Sequence, residues 1–236
     1  MEDNICTSCG TFIPDKDIGC PVKCRDPRCS AYNKPPLIDI SRTHIICLLG
    51  APQSGKSLQC DKLVARYGYC LLTAEEVLYA EVKEGGQSKR ARCVADVIQR
   101  GDRVPDQIVV NLIKEAIIRE SPTTNGFIIK GYPKDKKQAL IFERTIAPIC
   151  AFIYLESLPD ILAARLRQTY YFDPELTEEQ KEEVIMRKLA KFTWDVNMLM
   201  RVYPKKARRI NTNKPINEVF DDITYFLDPI AMPGGK

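Results

Sequence analysis

Ile45-Ile46-Cys47-Leu48-Leu49 is apolar at every position, and an unbroken run of this kind reads as a strand buried on both faces of a parallel sheet. Past residues 50–57 the period changes, and Cys60, Leu63, Val64 and Tyr67 recur at helical spacing. Strand, glycine loop and helix in that order open a doubly wound fold. The alternation continues. Val109, Leu112, Ile113, Ala116 and Ile117 fall at i, i+3, i+4, i+7 and i+8, which predicts an amphipathic helix started by Pro105-Asp106. Residues 127–129 and 149–155 repeat the buried-strand pattern. Ile185, Leu189, Phe192, Val196 and Leu199 form a long helical stripe. Residues 208–211 read as a last short strand and 216–227 as a closing helix. The expected fold is α/β: a doubly wound parallel sheet over residues 43–230 with helices on both faces.

Residues 1–34 break this pattern, because they hold too few hydrophobes to fold by burial. They contain five of the ten cysteines: Cys6, Cys9, Cys20, Cys24 and Cys29. The other five (Cys47, Cys60, Cys70, Cys93, Cys150) lie on apolar stripes and read as small core residues. Cys6-x-x-Cys9-Gly10 has the form of a zinc knuckle, and Cys20, Cys24 and Cys29 make a looser second group. Five thiols compete for the four places of a tetrahedral structural zinc site. A disulfide-linked tail and a disordered tail are the alternatives, the first disfavoured in a reducing compartment. The chain therefore reads as a small N-terminal cysteine-rich module (1–34), a linker stiffened by Pro35-Pro36 (35–42), the α/β domain (43–230) and a tail (231–236).

Composition narrows the setting. With 44% hydrophobic and 28% charged residues the chain is neither disordered nor fibrous. No apolar run approaches the roughly 18 residues of a membrane span, and the acidic start Met1-Glu2-Asp3-Asn4 is unlike a signal peptide. A cytoplasmic protein is expected. The net charge of +4 is evenly spread apart from Lys205, Lys206, Arg208 and Arg209. That cluster reads as a solvated strand edge ahead of a grip on nucleic acid.

Gly50-Ala51-Pro52-Gln53-Ser54-Gly55-Lys56-Ser57 matches the phosphate-binding loop G-x-x-x-x-G-K-[ST] in its required context of strand before and helix after. Glycines let backbone N–H groups surround a β-phosphate with no Cβ in the way. Lys56 offers charge to the β- and γ-phosphates and Ser57 a hydroxyl to Mg²⁺, while the helix N-terminus adds its dipole. An ATP site follows.

Four segments then point to one family. The loop with its Gln59-Cys60 continuation, LTAEEVLYAEV (72–82), RGDRVP (100–105) and GFIIKGYPKDKKQ (126–138) stand in the order and spacing of the adenylate kinases, and residues 43–230 resemble that family. The resemblance implies transfer of the γ-phosphoryl of ATP to a nucleoside monophosphate, AMP in first place, beneath a short lid. Carried over by position, Thr73, Val104, Gly131, Lys134 and Gln138 line the acceptor pocket, Arg165 lies on the helix leading to the lid, and Lys56, Arg165 and Lys134 form the catalytic set. Departures accompany the match. Tyr79, Lys134 and Lys188 stand where the family carries arginines, residues 168–177 contain none, and Lys130 occupies an acidic position beside the metal. Lysine cannot make arginine's planar bidentate contact, and loss of one transition-state arginine costs about 10³–10⁵ in rate. Two function classes follow: a weakened phosphotransferase, or a pseudokinase that docks a protein partner through the cysteine module. An RNA-associated P-loop factor is a third and weaker reading. His44, at a strand start, reads as structural.

Overall fold

The computed structural model describes residues 43–86, 88–169 and 176–232. Five parallel strands, β1 (His44–Gly50), β2 (Cys70–Thr73), β3 (Gly126–Lys130), β4 (Ala151–Glu156) and β5 (Ala207–Asn211), lie in the order β2-β3-β1-β4-β5. The helices are α1 (Lys56–Tyr67), α2 (Ala74–Glu84), α3 (Lys89–Gln99), α4 (Asp106–Glu120), α5 (Lys136–Thr145), α6 (Pro159–Thr169), α7 (Glu178–Val202) and α8 (Ile216–Ala231).

Strand periodicity explains how both faces are covered. Ile45, Cys47 and Leu49 point to one side, where they pack with Ile113 of α4, Phe142 of α5 and Leu199 of α7. Ile46 and Leu48 point to the other and meet Leu63 of α1 and Ile223 of α8. All these side chains are buried, which is why β1 tolerates no polar residue between its ends. A third, smaller cluster joins Ala51 to Leu162 and Leu166 of α6 and Ile185 and Leu189 of α7. It fixes the α6–α7 hairpin over the loop that follows β1.

Register places the chemistry. Thr73 pairs with Lys130 and Leu48 with Lys130, so the carboxyl ends of β1, β2 and β3 finish at one edge of the sheet. That edge is where open parallel sheets bind ligands. The opposite edge is held by local bonds: Tyr69 Oη and His44 Nδ1 lie 2.8 Å apart, giving the lone histidine a structural partner.

Several elements differ from the sequence reading. β2, α3 and α5 were not delineated by periodicity: β2 has four residues, and α3 buries only Ala91 and Val94. Cys47 and Cys60 are buried as expected and Cys70 and Cys150 are partly so, but Cys93 is exposed on α3. Its stripe position faces outward because the helix turns Ala91 and Val94 inward. The five N-terminal cysteines and residues 170–175 of the lid lie outside the described residues. The basic cluster is largely partnered. Arg209 pairs with Glu156 at 2.7 Å, Lys206 lies 3.7 Å from Glu143, and Arg208 stacks over Phe226. No helix among the described residues is long and apolar enough to cross a membrane.

Glu143 joins three elements at the base of the sheet. Its carboxylate accepts from Ile149 N–H at 3.0 Å and Tyr203 Oη at 2.7 Å, while the Tyr203 ring stacks on Phe152. Glu143→Ala leaves two donors unpaired in a mostly enclosed site, a loss of about 1–3 kcal/mol. The expected result is a melting temperature lower by several degrees, read by calorimetry or circular dichroism. An unchanged value would show that water replaces the carboxylate freely.

Candidate nucleotide-binding site

The loop between β1 and α1 is built by close approach. A Cβ added to Gly50 would sit 2.4 Å from Ser54 Oγ and 3.2 Å from Leu155 Cβ, so a larger residue here would have to displace both neighbours. Gly55, at φ 88°, caps α1 without a side-chain hydrogen bond, and the first N–H groups of the helix are available to an anion. Gln53, at φ 64°, is the one non-glycine residue in the left-handed region among the described residues. Arg165 Nη1 donates to its carbonyl at 2.8 Å and ties the loop crest to α6. Ser54 is buried, and its hydroxyl has no hydrogen-bond partner.

Lys56 Nζ donates to Gly50 O at 2.8 Å and Ala51 O at 2.7 Å. The ammonium is thus held over the carbonyl end of the loop instead of reaching into solvent. Burial lowers its pKa to about 8, and the neighbouring charges of Lys130 and Lys134 push the same way, against Cys60 and Glu75. Burial also pushes the Cys60 thiol up to about 12, which leaves it a packing residue.

A cleft of about 280 Å³ opens from this loop. Gly50, Pro52 and Lys56 form its floor, Gly131, Pro133 and Lys134 one side, and Leu166, Ile185, Leu189 and Phe192 an apolar wall. Lys188 lines it from α7 and Glu75 from α2. An apolar wall opposite a basic floor suits a ligand that is flat and apolar at one end and anionic at the other.

The sequence-predicted residues divide into two groups. Gly50, Pro52, Lys56, Gly131 and Lys134 converge on the cleft, with Ala51, Gln53, Ser54, Gly55 and Ser57 in or directly after the same loop and Arg165 bonded to it. Thr73, Val104 and Gln138 are buried and do not line the cleft. The Thr73 hydroxyl caps α2 by accepting from Glu76 N–H at 3.0 Å. Gln138 is held at both ends of its amide: Oε1 accepts from Lys134 N–H at 2.7 Å, and Nε2 donates to Asp106 Oδ1 at 3.0 Å. Arg103 braces that network by pairing with Asp106 at 2.8 Å and Asp135 at 2.9 Å. Tyr79 is well exposed on α2.

Sequence reasoning missed Glu75 and the ligand-facing role of the α7 stripe. Glu75 was legible only as a first-turn acid after an N-cap threonine. The stripe looked like core because most of it is. A divalent ion arriving with phosphates would find oxygen at the Ser57 hydroxyl, exposed at the second position of α1, and at the Glu75 carboxylate, which lines the cleft. This hard, sparse set suits magnesium, which keeps most of its waters. Among the described residues no group of three or more His, Cys, Asp or Glu is arranged to hold a metal.

A parallel sheet whose central strand feeds a glycine loop and an uncapped helix, with a lysine folded over that loop, defines the class of P-loop nucleotide-binding proteins. Comparison with known proteins narrows the class. The family model for adenylate kinase matches residues 48–208. Adenylate kinase isoenzyme 1 of Rattus norvegicus is 30% identical over 193 residues, covering 81% of this chain and 97% of the relative. The Homo sapiens isoenzyme 1 is 28% identical over the same shares. Adenylate kinase 1 of Drosophila melanogaster is 30% identical over 78% of this chain and 80% of its own. The chain belongs to the adenylate kinase family, a family of nucleoside-monophosphate kinases.

The depressed pKa of Lys56 sets a pH signature. In the free protein Lys56 loses its proton as pH rises through about 8, whereas a bound phosphate favours the charged form. Binding then takes up a proton, so affinity for inorganic pyrophosphate is expected to fall between pH 7 and about pH 9. Lys56→Arg, charged throughout, should lose the part of this fall and of the proton uptake that belongs to Lys56, leaving only the ionisation of pyrophosphate itself. Calorimetry in two buffers of different ionisation enthalpy measures the proton uptake. A flat wild-type profile with no uptake would remove Lys56 from the anion site.

Proposed function

We propose that the chain binds ATP at the β1–α1 loop and transfers its γ-phosphoryl group to a nucleoside monophosphate, AMP in first place, at a rate reduced by the loss of arginines. The observation that carries this reading is the Lys56 ammonium, held by two loop carbonyls at the floor of a cleft shared with Lys134 and Lys188. Gly50 to Ser57 would cradle the donor phosphates, with Ser57 toward Mg²⁺. Arg165, bonded to the loop crest, and Lys134 would place charge on the moving group. Such transfer needs positioning and positive charge more than covalent help. Three lysines offer the charge without the bidentate geometry, which is the reason for expecting slow turnover.

Thr73, Val104, Gly131, Lys134 and Gln138 form the proposed acceptor side. Gln138 reaches a base only by giving up its bond to Asp106, and that exchange would tune which base fits. A second reading is favoured by Lys130 and Tyr79: a nucleotide-binding pseudokinase that uses residues 1–34 to dock a protein in a reducing, cytosolic setting. For those residues we propose a structural zinc site drawn from Cys6, Cys9, Cys20, Cys24 and Cys29.

A coupled ADP-formation assay with ATP, Mg²⁺ and each nucleoside monophosphate tests the first reading. Slow turnover with AMP that vanishes in Lys56→Ala is the expected result. Lys56-dependent ATP binding without turnover would favour the pseudokinase. A rate equal to that of ordinary kinases would mean that the lysines replace the arginines fully. For the N-terminal module, metal analysis of the purified chain is expected to give about one zinc per chain. A metal-free chain with oxidised thiols would favour the disulfide alternative.

A further inference from the structure

Glu75 is an unexpected neighbour for a phosphate. It is the one carboxylate among the described residues lining the cleft, and Lys56 lines the same cleft. A carboxylate facing the P-loop lysine repels the anion that the lysine is there to hold, unless a cation comes between them.

The register of the sheet supplies the context. Lys130 ends β3 opposite Thr73, and Thr73 is the N-cap of α2, so Glu75 follows two residues after the partner of Lys130. Two opposite charges therefore stand at one edge of the sheet, beside the cleft that Glu75 and Lys56 both line. A divalent ion brought in by a triphosphate would meet the charges of Lys56, Lys130, Lys134 and Lys188. Magnesium needs few protein ligands, and a single carboxylate bonded to its coordinated waters suffices. Glu75 is exposed, lies in the first turn of α2 and has no backbone-capping role of its own; Thr73 caps that helix.

We propose that Glu75 is the carboxylate that holds the magnesium hydration shell of the bound triphosphate, supplying from α2 the negative charge that Lys130 withholds from the end of β3. The assignment rests on the nucleotide-binding reading above. Glu75 is a positioning residue: it acts on the reaction through the ion and the phosphates that the ion orders.

The test is a calorimetric titration of the full chain with ATP, in Mg²⁺ and in EDTA, for the wild type and for Glu75→Gln. In the wild type Mg²⁺ is expected to tighten ATP binding on the order of tenfold. In Glu75→Gln that gain shrinks to less than about twofold, while metal-free ATP binds as well as before or better, because a like charge is gone. Glu75→Asp should retain part of the gain. A Glu75→Gln protein that keeps the full gain overturns the assignment. So does one whose affinity rises equally in both conditions, since Glu75 is then only a repelling charge. Lys56→Ala separates the two levels. ATP binding that is absent, or that survives Lys56→Ala, overturns the nucleotide-binding reading itself, and the Glu75 assignment with it. Lys56-dependent binding with an unaltered magnesium gain overturns the Glu75 assignment alone.

Discussion

Everything at the ligand edge depends on one close approach, the passage of the chain from β1 into α1 against β4. With Leu155 Cβ 3.2 Å and Ser54 Oγ 2.4 Å from where a Gly50 Cβ would lie, any side chain here would force Ser54 and β4 to shift. That contact sets the loop so that Gly50 O and Ala51 O both accept from Lys56. The same loop presents Ala51 to Leu162 and Leu166, which seats the α6–α7 hairpin and so the apolar wall of the cleft. A substitution at Gly50 would therefore disturb phosphate cradle, lysine and wall together, although only the first is local to it.

The fold was largely legible because β1 is buried on both faces and flanked by helices with clear stripes. Ile45 to Leu49 could be nothing but a central strand, and the stripe of α4 told which face it turned inward. What stayed hidden was short or weakly patterned. β2 carries four residues, and its first two are only partly buried. α3 has too few apolar positions to announce a face. Cys93 looked like its fellow stripe cysteines because residue type alone cannot say which side of a sparse helix is buried.

The site was legible in another way. Residues of the loop are fixed by backbone geometry, so spacing alone located them. The proposed acceptor side is made by side chains whose partners come from distant segments. Arg103 precedes α4 and Asp106 opens it, and Asp135 and Gln138 follow β3, yet they close one network. No local pattern foretells that the Gln138 amide is already engaged at both ends. Glu75 was hidden for a similar reason: its meaning depends on Lys130, which is close only because β2 and β3 pair in register.

The lysines give this cleft its particular character. A guanidinium keeps its charge in a crowded, partly dry site, whereas an ammonium loses proton affinity there, as Lys56 does beside Lys130 and Lys134. Burial first, and then the charges of Lys130 and Lys134, make Lys56 easier to deprotonate. An incoming polyphosphate reverses the effect by favouring the protonated form of Lys56. Anion binding and proton uptake are thereby coupled more tightly than in an arginine-lined site. In the proposed role, the same crowding would make a carboxylate such as Glu75 useful, because it would give a metal ion one favourable neighbour. On the proposed reading, a site of this composition would depend on pH and on magnesium for its affinity and gain less from fixed bidentate geometry.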